Sequence, residues 1–387
     1  MASPQPALAT VDTGEVVEQT SEAAQPRSPA QLREALRQPL ATRTPVSYVR
    51  GFVDAYIPNS SFLLPPSLAD ELAKLGRMQG QQPAGTYARK VLEQLLIDLS
   101  WSSSHLEGNK LTRLDTERLF EDGASTGDTD AVMLLNHKYA IEFLVDAVPE
   151  QGLTGSVIRN MHAVLMQDLL PDPDTLGAIR QRIVNISDTV YFPSQVPMVL
   201  EEMFAHVVDK ARNIKNPIEA AFFLWVNIAY LQPFEDGNKR TSRLSANIPL
   251  MLYNSAPLSF MDVRREEYSE AMLGVYELRD VALAVELFDT TYRRSAQKYA
   301  VILESMGKPD QVRLRFRETL NDVIGSIVRE RKTATESVVP LSLTEEDRFI
   351  FEKILKEELA KLGPYNCARY RLTTGATAKW IDDGRPS

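Results

Sequence analysis

Between Leu231 and Leu244 the chain reads Leu-Gln-Pro-Phe-Glu-Asp-Gly-Asn-Lys-Arg-Thr-Ser-Arg-Leu, a short polar stretch between two apolar ones. Pro233 disfavours helix in Gln232, so a preceding helix ends there. Gly237 can take positive φ and reverse the chain. A new helix then starts near Asn238, and its first backbone N–H groups have no partner within the helix. Such an end binds anions, phosphate above all. Arg240 and Arg243 are three residues apart, so they share one helical face just past it. Asp236 offers a carboxylate for a divalent cation beside phosphates. Residue types and spacing together suit a polyphosphate with a metal ion.

The flanking elements must hold this loop. Ile218 to Leu231 reads as a buried helix with almost no polar face, and Leu244 to Tyr253 resumes the apolar pattern. In this setting the loop resembles the core motif of the Fic (Fido) family, His-Pro-Phe-x-Asp-Gly-Asn-Gly-Arg-x-x-Arg. Pro233, Phe234, Asp236, Gly237, Asn238, Arg240 and Arg243 stand in register; Gln232 replaces the His and Lys239 the second Gly. The resemblance implies a mainly α fold: a Fic-type helical core, a small β-hairpin flap and a small C-terminal helical accessory module. It implies ATP and Mg²⁺ as ligands and AMP transfer to a protein hydroxyl as the reaction. Asp236 would hold the metal. Gly237, Asn238, Lys239, Arg240 and Arg243 would line the nucleotide, with Asn238 and the helix end at the α-phosphate. Gly-Asn-Lys-Arg at 237–240 also resembles the loop of Doc toxins, Fido relatives that act as protein kinases.

Upstream, Ser102 to Asn109 has two readings. Ser104-x-x-Glu107 is a capping-box pattern. Ser103-x-x-x-Glu107-Gly108 is similar to the inhibitory helix of many Fic proteins, whose glutamate reaches the second motif arginine, here Arg243. A carboxylate on that arginine competes with phosphate for the same donors. Downstream of it, Val184 to Pro193 alternates apolar and polar residues around Ser187-Asp188 and predicts a hairpin. In the resemblance this is the flap, which holds a target protein by strand addition, with Ile186, Thr189 and Tyr191 as its contact residues. His162 reads as a packed or surface histidine, and Cys367 as inert.

The base is the missing part. Gln232 has no basic nitrogen and cannot accept a proton at neutral pH, and loss of a positioned base costs roughly 10²- to 10⁴-fold. Three readings follow: an unusual Fic enzyme moving AMP or phosphate, a nucleotide-binding regulatory module without catalysis, and a hydrolase in which Glu107 positions water to remove AMP.

The bulk numbers set bounds. With 387 residues, two or three domains are expected. A net charge of −9 argues against a general nucleic-acid binder. The single cysteine excludes an internal disulfide and suits a reducing cytosol, so a cytoplasmic location is expected. No apolar run reaches a membrane span, and no basic start with an apolar core marks a secretory signal. The expected division is a disordered arm at 1–45, an N-terminal helical region with the inhibitory motif at 46–125, the Fic core at 126–306 and an accessory module at 307–387. There, alternate arginines at 313, 315 and 317 read as a solvated face. Fic proteins with a preceding inhibitory segment are often homodimers, a state that no feature of this sequence fixes.

Overall fold

The computed structural model describes residues 28–78, 82–122, 128–305, 315–339, 341 and 343–386. In chain order its main elements are α1 (Pro29–Leu36), β1 (Val46–Ser47), α2 (Pro66–Gly76), α3 (Thr86–Lys90), α4 (Leu92–Leu106), α5 (Arg113–Asp122), α6 (Thr129–Gln151) and α7 (Gly155–Met166). There follow β2 (Tyr191–Phe192), α8 (Pro197–Asn213), α9 (Pro217–Leu231), α10 (Asn238–Ser245), α11 (Asn247–Leu252), α12 (Arg265–Leu278) and α13 (Ala282–Ser305). The last four are α14 (Arg317–Glu330), α15 (Ala334–Val338), α16 (Glu345–Lys361) and α17 (Thr374–Asp382). The chain divides into two compact units, one ending at Leu303 and one starting at Glu304.

The first unit is built around α9. Asn216 caps it by accepting from the Ile218 and Glu219 amides, and Pro217 takes the first turn, where a missing N–H costs nothing. Every residue from Ile218 to Leu231 is buried, because α8, α10, α11, α12 and α2 surround it. A helix apolar on all sides is stable only when enclosed in this way. α6 and α7 pack on each other, α6 against α4 and α11 and α7 against α10 and α8. The second unit has its own core of Phe316, Leu320, Ile324, Phe351, Leu355 and Trp380 among others. Arg313 lies outside the described residues.

The mainly helical fold is as expected, but three local features differ. First, order begins before residue 46. Ser28 and Gln31 form a reciprocal capping box on α1, and Leu32 and Leu36, one turn apart, are buried; residues 1–27 of the expected arm lie outside the described residues. Second, the helix expected from Thr86 to Trp101 breaks at Val91 and then runs on to Leu106. Ser104 and Glu107 therefore stand at a helix C-terminus, where the Glu107 amide donates to Ser104 O, and no capping box forms. Third, Val184 to Pro193 turns at 187–188 and its ends meet through the Gln195 side chain, which accepts from Val184 N and donates to Val184 O, but among the described residues its two arms do not pair as strands. Asp188 turns the chain at φ 61°, and β2 pairs in parallel with β1, Val46 against Tyr191 and Ser47 against Phe192. The edge that a second hairpin strand would cover is taken by the N-terminal segment.

Candidate functional site

Two left-handed residues shape the motif loop. Gln232 ends α9 at φ 52°, and Gly237 precedes α10 at φ 72°. Gly237 is required twice over, because a Cβ there would come within 2.5 Å of Met166 Sδ. The loop is closed from within by Asn238. Its Oδ1 accepts from Phe234 N and its Nδ2 donates to Phe234 O, both at 2.8 Å. The side chain that the sequence suggested for a phosphate is thus engaged in the loop, which leaves the helix-end backbone for a ligand. Gln232 turns its amide back to donate to Ala229 O at 2.7 Å.

Two residues that the sequence did not single out for the site hold the loop from below. His162 stacks on Phe234, with ring centres 3.9 Å apart and planes 13° apart. Gly177 N–H donates to its Nδ1 at 3.0 Å, so the proton sits on Nε2 and is donated to Asp236 O. Burial pushes this imidazole down to about 4, and it stays neutral. The packed reading of His162 holds, with a positioning task added. Arg180, fully buried, donates Nε to Gln232 O at 2.8 Å and Nη1 to Arg182 O and Gln195 Oε1. Its own amide donates to Pro233 O. The signal for His162 was a polar residue on the apolar stripe Ile158, Met161, Leu165; Arg180 carried none.

The structure brings Ser103, Glu107 and Arg243 together across 136 or more residues of chain. Arg243 Nη2 donates to Glu107 Oε1 at 2.7 Å and to Ser103 O at 2.9 Å, and its Nε donates to Ser103 Oγ at 2.9 Å. Tyr268 of α12 lies under the guanidinium, 5.0 Å from its ring centre. Burial pushes Glu107 up, but the charges of Arg243 and Lys239 prevail and hold it below the usual carboxylate range. Gly108 follows at φ 97°, next to the Arg265 guanidinium. Beneath Ser103 is His137, which is fully buried. Ser103 Oγ accepts from Arg243, so its own proton goes to His137 Nε2 at 3.0 Å, and His137 gives Nδ1–H to Met133 O. Burial pushes His137 down to about 3.

Arg240 and Asp236 face each other at 3.4 Å, the arginine side chain buried and the carboxylate 67% exposed. One nitrogen of each arginine, Arg240 Nη1 and Arg243 Nη1, is buried and has no hydrogen-bond partner among the described residues. Buried donors of this kind carry a penalty unless something accepts from them. Among the described residues no group of three or more His, Cys, Asp or Glu could hold a metal alone. A Mg²⁺ shared with phosphates needs only one or two carboxylates, which Asp236 satisfies.

The flap residues do not present an open contact face. Tyr191 is buried and donates its hydroxyl to Tyr230 O at 2.5 Å. Thr189 donates to Glu277 at 2.7 Å, and Ile186 packs partly buried on the core. β2 turns Tyr191 inward because its ring stacks between Tyr230 and Tyr276. Exposed on this strand is Phe192 instead.

Residues 152–250 match the model of the Fic/DOC family, a span that contains the whole motif loop and both helices flanking it. The chain carries a Fic domain. The protein adenylyltransferase fic-1 of Caenorhabditis briggsae is 25% identical over 224 residues, 55% of this chain and 43% of the relative. The protein adenylyltransferase Fic of Nematostella vectensis is 26% identical over 197 residues, 49% of this chain and 45% of the relative. The chain thus spans under half the length of these two relatives. The solved Fic-1 (residues 134–508) of C. elegans is 22% identical, with 67% of this chain and 73% of that one covered at a TM-score of 0.49. No helix among the described residues is long and apolar enough to cross a membrane.

Proposed function

We propose that the Fic domain binds ATP with Mg²⁺ at the loop 236–243 and serves AMP transfer to a protein hydroxyl, with Glu107 as an intramolecular gate. The observation that carries this is the pair of buried, unpartnered guanidinium nitrogens beside a carboxylate-occupied arginine. Relatives named as protein adenylyltransferases support the reaction class. Asp236 would hold the metal, which supplies charge neutralisation between phosphates. Arg240, Arg243 and the α10 backbone amides would take the phosphate oxygens. In the transfer itself the target hydroxyl oxygen bonds to the α-phosphorus as the bond to pyrophosphate breaks. The hydroxyl proton then needs an acceptor, and Gln232 offers none.

That gap favours a second reading, a nucleotide-binding regulatory module without turnover. Gln232 supports it, since its amide is already committed to Ala229 O. Calorimetry with Mg²⁺ and ATP on the wild type and Glu107→Gly tests the shared core. The variant is expected to bind roughly tenfold tighter or better, as a charge-assisted competitor is removed. No binding in either protein would overturn both readings. Transfer of label from α-labelled ATP by Glu107→Gly with Gln232→His, set against Glu107→Gly alone, then separates an enzyme limited by its missing base from a binding module.

A further inference from the structure

Glu107 is met by two cations of α10, not one. Its Oε1 faces Arg243 at 2.7 Å and its Oε2 faces Lys239 Nζ at 4.0 Å. Lys239 and Arg243 are one helical turn apart and so share a face. The carboxylate spans that turn with one oxygen to each. Among the described residues Glu107 is the ionic partner of Lys239. Both side chains keep some exposure, 38% for the lysine and 21% for the glutamate. The pattern that the loop matches has glycine at this position, which would leave the second oxygen to water.

We propose that Lys239 serves two occupants in turn. It latches the second oxygen of Glu107 in the resting site, and it passes to a phosphate of the bound nucleotide when Glu107 leaves. The proposal rests on the ATP reading above. The physical case is that an ammonium on a four-carbon stem is a mobile point charge with freely rotating donors. It can follow whichever anion lies over the first turn of α10. Exchange of a carboxylate for a phosphate keeps this cation paired throughout, so the second site of the latch opposes nucleotide entry and then rewards it. Arg243 makes the same exchange one turn further along, with its guanidinium fixed by Ser103 and Tyr268.

A double-mutant cycle tests this, with Lys239→Ala and Glu107→Gly alone and combined, read as Mg²⁺–ATP affinity. In the Glu107→Gly background the alanine is expected to weaken binding about fivefold, the worth of one phosphate contact. In the wild-type background the loss should shrink or reverse, because the weaker latch offsets it. Lys239→Arg should keep most of both effects. An equal loss in the two backgrounds would overturn the latch; no loss in Glu107→Gly would overturn the phosphate role. The latch has a readout without nucleotide. Titration of the Glu107 carboxyl by carbon-detected NMR should move up in Lys239→Ala, because one of the two charges that hold it down is removed. An unmoved titration overturns it. If Glu107→Gly binds no ATP, the functional reading and the phosphate role fall together, while the carboxyl titration still decides the latch.

Discussion

On the inner side of the loop at 232–239 the polar groups are neutral and have fixed partners: His162 between Gly177 and Asp236 O, Asn238 across Phe234, the Gln232 amide on Ala229 O. On the outer side the groups are charged, and their pairing is incomplete. Asp236 stands mostly in solvent, Arg240 reaches it at 3.4 Å, and one nitrogen of each arginine has no acceptor among the described residues. The inner side fixes backbone shape, which demands hydrogen bonds of defined direction. The outer side keeps donors uncommitted, which costs stability and suits a ligand that arrives with its own oxygens. The contrast predicts that inner substitutions act on the fold and outer ones on binding.

Arg243 belongs to both sides, and its loss should be largest. Arg243→Ala is expected to cost about 3–5 kcal/mol, since it strips the charge partner from Glu107 and two bonds from Ser103. Chemical denaturation measures it. Adding Glu107→Ala should return part of the loss, because no carboxylate is then left without its cation. If the single variant keeps wild-type stability, Arg243 is not the joint between the two sides.

Next comes His162→Phe, which retains the stack on Phe234 but strands Gly177 N–H and Asp236 O, for about 2–4 kcal/mol. It carries a pH signature as well. The folded-state values of His162 and His137 lie near 4 and 3, below the ordinary 6.5. Below pH 6.5 the unfolded chain therefore binds protons that the native chain refuses. Stability is full above pH 6.5 and falls by about 1.4 kcal/mol per pH unit for each histidine as pH drops toward 4. The variant should remove one of these two slopes. An unchanged slope in denaturation curves at pH 6.5 and 5 would mean that His162 is charged or exposed.

How much of this was legible in the sequence follows from the range of each interaction. The loop's turns were, because Pro233 and Gly237 act on their own backbone. The Glu107–Arg243 contact was reached only through a motif, since 136 residues separate the partners and no local pattern links them. His137 and Arg180 went unmarked for the same reason: each is a buried polar group whose partners come from other elements. The sheet shows the limit most clearly. Alternation at 184–193 correctly marks extended chain, but it carries no information on which strand pairs with it, and Val46–Ser47 came from the start of a region read as helical.

Asn238 separates the two sides within one residue. Its side chain closes the loop, whereas its backbone begins the helix end that would face a phosphate. Asn238→Ala is expected to cost about 1–3 kcal/mol, as Phe234 loses the partners of both its N–H and its C=O. ATP affinity should fall with it through the altered loop shape. A loss of affinity at unchanged stability would instead move the side chain to the outer side, as a direct phosphate ligand.

Asp236→Asn should show the smallest effect on the fold and the cleanest one on binding. The carboxylate is mostly exposed and its ionic contact to Arg240 is long, so the change in stability should stay within about 0.5 kcal/mol. An amide cannot neutralise a divalent cation as a carboxylate does. The gain in ATP affinity that Mg²⁺ gives to Glu107→Gly should therefore shrink about tenfold when Asp236→Asn is added, while affinity in EDTA stays level. Retained Mg²⁺ dependence would place the metal on phosphates alone. A stability loss as large as that of Asn238→Ala would show that Asp236 is held by the fold after all, and the division between a committed inner side and an uncommitted outer one would fail at the residue where it is drawn most sharply.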